Sequence, residues 1–217
     1  MPNVQRSIRC SRGFTLIELV VSIAIFAAMT ALVMARYGSF NQNTLLTNMA
    51  YDMALSIRTA QSYGVSVKSA DGINNNFNSA YGIHFDASPS KSATFTFFLD
   101  KNKTGVYDPT GGLEDITTYT LTSGAKILSI CLASSVPDTS CNTGSDQNLS
   151  NSSQTLDITF RRPNPDAIFT VCPSANSVPN ACSASSQPVA LITLISSDRS
   201  NTQVVVVRKN GEISVGN

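Results

Sequence analysis

Arg12-Gly13-Phe14-Thr15-Leu16-Ile17-Glu18-Leu19-Val20 sets one small residue between a basic leader and an apolar run that holds a single carboxylate. Residues 14–35 are apolar or small apart from Thr15, Glu18, Ser22 and Thr30. As a helix they span about 33 Å, enough to cross the hydrocarbon core of a bilayer. An ionisable group within such a segment costs roughly 3 kcal/mol even on lenient insertion scales, so Glu18 calls for a role and a partner.

An ordinary secretory signal also has a basic start and an apolar core, but its small-residue cut follows that core. Here Gly13 precedes it. A plain single-pass anchor accounts for the hydrophobicity and leaves Gly13, Phe14 and Glu18 without a reason. At these residues the chain resembles the prepilin family, the precursors of type IV pilins and of the pseudopilins of type II secretion. The resemblance implies cleavage after Gly13 by a membrane-embedded prepilin peptidase, which also N-methylates the new terminus, Phe14. It further implies that Glu18 meets the cationic amine of Phe14 on a neighbouring subunit during assembly. Elementary electrostatics agrees. A free α-amine titrates near 8, and opposite charges attract far more strongly in hydrocarbon than in water.

Arg6, Arg9 and Arg12 precede the apolar run and no acid does, so the positive-inside rule keeps residues 1–13 cytoplasmic and sends the rest outward. The expected organisation is a leader at 1–13, a membrane and assembly helix at 14–36, and an extracytoplasmic globular domain at 37–217. The expected location is the cytoplasmic (inner) membrane as a single-pass protein, then a pilus or pseudopilus. Of the 15 Lys and Arg residues, 3 lie in the leader, leaving 12 against 14 Asp and Glu, a formal charge of about −2 after processing. No general polyanion-binding field results. Charged residues make up 13% of the chain, about half the usual share, and Ser, Thr and Asn replace them, which suits an exported surface.

Cysteine usage agrees with export. Cys10 would leave with the leader, and Cys131, Cys141, Cys172 and Cys182 remain as an even set. Three pairings are open. Cys131 with Cys141 and Cys172 with Cys182 is favoured, because each closes a ten-residue step through a Val-Pro turn, at Val136-Pro137-Asp138 and Val178-Pro179-Asn180. Zinc is disfavoured, since paired Cys-x-x-Cys spacing is absent and His84 is the only histidine.

Beyond the apolar run the helical period continues. Leu46, Met49, Met53, Ile57, Ala60 and Gly64 recur at threes and fours, and no Pro occurs between Pro2 and Pro89, so one long helix is expected from Phe14 to about residue 67. Many major pilins carry a helix-breaking Pro in the membrane portion. This chain does not, which points away from a main-fibre role. Asp71-Gly72-Ile73-Asn74-Asn75-Asn76 reads as loop, and residues 81–85, 94–99, 116–121, 125–132, 156–160, 167–172, 189–195, 203–208 and 213–215 read as strands, with a tight hairpin at Asn210-Gly211. The fold expected is α+β and pilin-like, a long N-terminal helix packed on an antiparallel sheet.

The phrases Asp52-Met53-Ala54-Leu55-Ser56-Ile57-Arg58-Thr59-Ala60-Gln61, Tyr81-Gly82-Ile83-His84-Phe85 and Val204-Val205-Val206-Val207-Arg208-Lys209-Asn210-Gly211 are similar to the GspH/FimT-type minor pilins. The resemblance implies a minor pilin or pseudopilin whose partners are other subunits, the prepilin peptidase and an inner-membrane assembly platform. Asp100, Asn102 and Asp108 begin like a calcium loop, but Gly111 stands where a bidentate Glu belongs, with Glu114 and Asp115 later. An ordinary turn is the favoured reading there. Arg161, Arg162, Arg199, Arg208 and Lys209 are the candidate DNA contacts of an alternative reading, a DNA-binding or adhesive tip subunit presenting loops such as 134–153. His84 sits in a strand-like apolar run and reads as structural. Nothing resembles a Ser nucleophile elbow or a phosphate-cradling loop, so neither an enzyme nor a cofactor is expected.

Overall fold

The computed structural model describes residues 13–66, 79–109, 114–135, 147–149, 154–173 and 181–216, with residues 36–40 by backbone alone. Among these residues lies one helix, α1 (Leu16–Val65), followed by strands β1 (Ala80–Asp86), β2 (Thr94–Asp100), β3 (Asp115–Thr120), β4 (Lys126–Ala133), β5 (Gln147–Asn148), β6 (Thr155–Arg161), β7 (Asn164–Cys172), β8 (Ser183–Ala184), β9 (Val189–Ile195), β10 (Thr202–Arg208) and β11 (Ile213–Gly216). The chain divides into two compact units, Met1–Asn41 and Gln42–Asn217. The expected loop at 71–76 lies outside the described residues.

In the first unit every described side chain from Gly13 to Ala35 is exposed. Leu16–Ala35 is long and apolar enough to cross a membrane. Its two hydroxyls satisfy themselves within the helix: Ser22 Oγ donates to the Glu18 carbonyl at 2.7 Å, and Thr30 Oγ1 to the Phe26 carbonyl at 2.8 Å. A helix whose backbone and hydroxyls are all internally bonded is what hydrocarbon accepts.

In the second unit the α1 stripe of Leu46, Met49, Met53, Ile57 and Ala60 is buried, together with Ala50 and Ala54. Gly64 completes it for a steric reason. A Cβ there would run into the Phe160 carbonyl, so only glycine lets helix and strand approach this closely.

The α+β class is as expected, and the sheet is divided in two. Strands β3-β2-β1-β6-β7-β8 form a six-stranded sheet and β11-β10-β9-β4-β5 a five-stranded one, with antiparallel neighbours throughout. One core joins both: Ile83, Phe85, Phe97 and Ile158 from the first and Ile130, Ile192, Leu194 and Val205 from the second pack with the α1 stripe. Alternation then sends the opposite residues of β1, β2 and β6 to the far face of the six-stranded sheet. There His84, Thr96, Thr118, Asp157 and Thr170 fall in one row across five strands. At the hairpin between β10 and β11, Gly211 takes φ of 85°, a conformation glycine adopts without strain.

Candidate functional site

The first candidate is the start of α1. Thr15 stands at the N-cap position: its hydroxyl oxygen accepts the Glu18 N–H at 3.4 Å, and its O–H donates to Glu18 Oε2 at 3.5 Å. The Glu18 carboxylate is thereby drawn toward the helix N-terminus, whose dipole favours negative charge. Glu18 is the single charged residue of Leu16–Ala35, and it lies one turn beyond Phe14, whose side chain is 82% exposed. Among the described residues a Cβ built on Gly13 meets nothing within 4 Å, and no positive φ is needed there. The described residues therefore impose no glycine at 13.

The second candidate is the loop between β2 and β3 with the sheet face beneath it. Asp100 accepts the Thr104 N–H on Oδ1 and the Gly105 N–H on Oδ2, both at 2.9 Å, and Asn102 Oδ1 accepts from the Thr104 hydroxyl at 2.7 Å. Glu114 accepts the Lys101 N–H at 3.3 Å and the Asp108 N–H at 2.8 Å. These carboxylates knot the loop through its own backbone. Burial pushes the carboxyls of Asp100 and Glu114 above the usual range, opposed by those N–H donors, and Asp100 adds to the rise at Glu114. Gly111, the twelfth position of the calcium-like pattern, lies outside the described residues. Among the described residues, no group of three or more His, Cys, Asp and Glu is placed to hold a metal ion.

Under the loop lies a pair that sequence reasoning missed. His84 Nδ1–H donates to Asp157 Oδ1 at 2.6 Å, with the Asp157 side chain 1% exposed, and Asp157 Oδ2 accepts the Tyr107 N–H at 3.2 Å. The Tyr107 ring lies 4.4 Å from the His84 ring. Burial, with a side-chain hydrogen bond to Asp115, pushes the Tyr107 phenol well above its ordinary range. The available signal was the alternation Thr155-Leu156-Asp157-Ile158-Thr159, which puts an acid on the polar face of a strand.

The basic residues divide. Ala167 N–H donates to the Lys209 carbonyl at 2.9 Å, and Gln61 Nε2 donates to both the Pro165 and Gly211 carbonyls at 2.9 Å, so the β6–β7 and β10–β11 turns sit side by side. Arg161, Arg162, Arg208 and Lys209 are thus gathered at one end of the unit. Arg208 is paired there with Glu212 at 2.6 Å. Arg199, in the β9–β10 turn, lies at the opposite end of β10. Cys172 and Cys182 are joined by an S–S bond of 2.06 Å, tying the end of β7 to the start of β8. Cys131 is also disulfide-bonded. Cys141, its expected partner, and the loop at 136–146 lie outside the described residues, as do Cys10 and the leader arginines.

Residues 8–34 match the prokaryotic N-terminal methylation motif. The match supports a type IV pilin-like protein. No curated protein and no solved structure matches the chain. The motif indicates processing by prepilin peptidase and assembly with other pilins in a membrane machinery, and the pilin-like family is structural rather than enzymatic. An apolar helix that begins inside the motif is consistent with anchoring in the inner membrane before assembly.

Proposed function

We propose that this pilin-like chain is a minor pilin or pseudopilin of the GspH/FimT type, a structural subunit of a type IV pilus or a type II secretion system. The leader stays cytoplasmic, the globular unit is exported, the chain is cut after Gly13, and Phe14 is methylated. Each subunit then enters the filament by placing Glu18 against the Phe14 amine of a neighbour, which sets the axial stagger, while apolar contacts along Leu16–Ala35 hold the bundle. One observation carries this reading: a 20-residue apolar stretch whose described side chains are all exposed, bearing a single acid one turn beyond Phe14. The disulfide at Cys172–Cys182 and the bonded state of Cys131, with Cys141 as its proposed partner, fit the oxidising side of the membrane.

Glu18→Ala tests the mechanism. Membrane insertion is expected to be unchanged or improved, because a charge leaves the apolar segment, and the variant is expected to be depleted from sheared filaments. Normal incorporation would refute the pairing. A second reading, a DNA-binding tip subunit, draws on the gathering of Arg161, Arg162, Arg208 and Lys209 at one end. Binding of duplex DNA that weakens steeply with salt, and weakens again on Arg162→Ala with Lys209→Ala, would favour it. The near-neutral total charge and the Arg208–Glu212 pair favour the structural role.

A further inference from the structure

The far face of the six-stranded sheet holds a cavity of about 290 Å³, lined by His84, Asp86, Lys91, Thr96, Tyr107 and Thr118 among others. Its floor is expensive to build. Asp157 is fully buried and His84 nearly so, on a sheet face where an apolar pair would serve stability as well or better. The pair also fixes the histidine. With Asp157 accepting from Nδ1–H on one oxygen and from the Tyr107 N–H on the other, this tautomer carries its lone pair on Nε2. Among the described residues no hydrogen bond reaches Nε2, and it is the nitrogen left for the cavity that His84 lines.

The remaining lining states what would fit. Asp86 and Asp115 supply carboxylates, Lys91 an ammonium with no ion-pair partner among the described residues, and Thr94, Thr96 and Thr118 hydroxyls, with Thr96 and Thr118 3.2 Å apart. An inorganic anion would face two carboxylates. A cation would face Lys91, and an apolar guest would strip water from every group without replacing its hydrogen bonds. A polyhydroxylated ring offers donors to the carboxylates and Nε2 and acceptors to the ammonium and threonines. Its apolar C–H face can lie on the Tyr107 ring.

We propose that this cavity is a binding site for a single hexose unit, free or at the end of a glycan. His84 Nε2 and Asp86 accept from sugar hydroxyls, Lys91 and Thr118 donate to sugar oxygens, and Asp157 acts as the positioning residue for His84. The inference does not depend on the filament reading. It concerns the sheet face away from α1 and holds for the unassembled chain as well.

Saturation-transfer NMR on the full-length chain tests it, in a detergent without a sugar headgroup, with glucose, galactose and N-acetylglucosamine as separate probes and inorganic phosphate, followed by broadening of its phosphorus resonance, as the competing class. Saturation transfer to at least one of the three sugars is expected, with affinity falling about tenfold in Thr118→Val and in Lys91→Ala, the effect of losing one good hydrogen bond. Thr118 lies on the exposed edge strand and Lys91 in an exposed turn, so both variants should keep the far-ultraviolet circular dichroism of the parent. The proposal is overturned if none of the three sugars binds, if phosphate alone binds, or if sugar binding survives both substitutions unchanged.

Discussion

Leu16–Ala35 and the buried stripe from Leu46 to Ala60 belong to one helix and draw on similar apolar residues, yet every described side chain of the first is exposed while the second is covered by two sheets of its own chain. The stripe needs no partner, because its period presents one face to Ile83, Phe85 and Ile192 and leaves Asp52 and Arg58 outside. Leu16–Ala35 is apolar on all sides, so no single face could satisfy it and its cover must come from lipid or from other subunits. Glu18 belongs to this second situation. Among the described residues its carboxylate meets only the Thr15 hydroxyl, and the proposed pairing with a neighbour's Phe14 amine would supply the full countercharge.

Holding the apolar helix in its precursor form should separate the two stretches most strongly. Gly13→Val is expected to abolish processing, read as a retained leader by intact mass, without changing the thermal unfolding of the globular unit. Next in size comes the buried stripe. Ile57→Ala should lower the stability of the globular unit by about 2–5 kcal/mol in urea unfolding, since Ile57 is fully buried in the shared core. The matched change Leu32→Ala, at a side chain 70% exposed, should leave that unfolding within about 0.5 kcal/mol and act instead on filament yield. Equal effects of the two on unfolding would erase the distinction.

A smaller effect sharpens the picture within the globular unit. The carboxyls of Asp100 and Glu114 are raised in the folded state by burial, so the folded chain holds these protons more tightly than the unfolded one. Their stabilising contribution is full below their unfolded values of 3.8 and 4.5 and is lost as pH rises through the folded ones. Glu114→Gln removes one such proton, so the variant should gain on the parent as pH rises from 4 to 7, measured as the difference in urea midpoint. A difference that stays constant over this range would contradict the assignment.

What could be read from sequence was local. The motif at Gly13, Phe14 and Glu18 needs only adjacent residues, and the α1 stripe and most strands show their own periods. The division into two sheets was not legible, because alternation says which face a residue takes and not which strand it meets. β1 pairs with β6 across some seventy residues, while β4 leaves β3 for β9 and keeps only the two-residue β5 on its other side. β5 and β8, two residues each, are too short to show a period. The partnership of His84 with Asp157 was hidden for the same reason, since only that long-range pairing brings them together.

As proposed, the chain becomes a filament subunit once its leader is removed. Intact mass spectrometry of the native polypeptide, taken from both membranes and sheared filaments, tests this most directly. The expected species begins at methylated Phe14 and occurs in both fractions. A polypeptide intact from Met1, unmethylated and absent from every filament fraction, would contradict it.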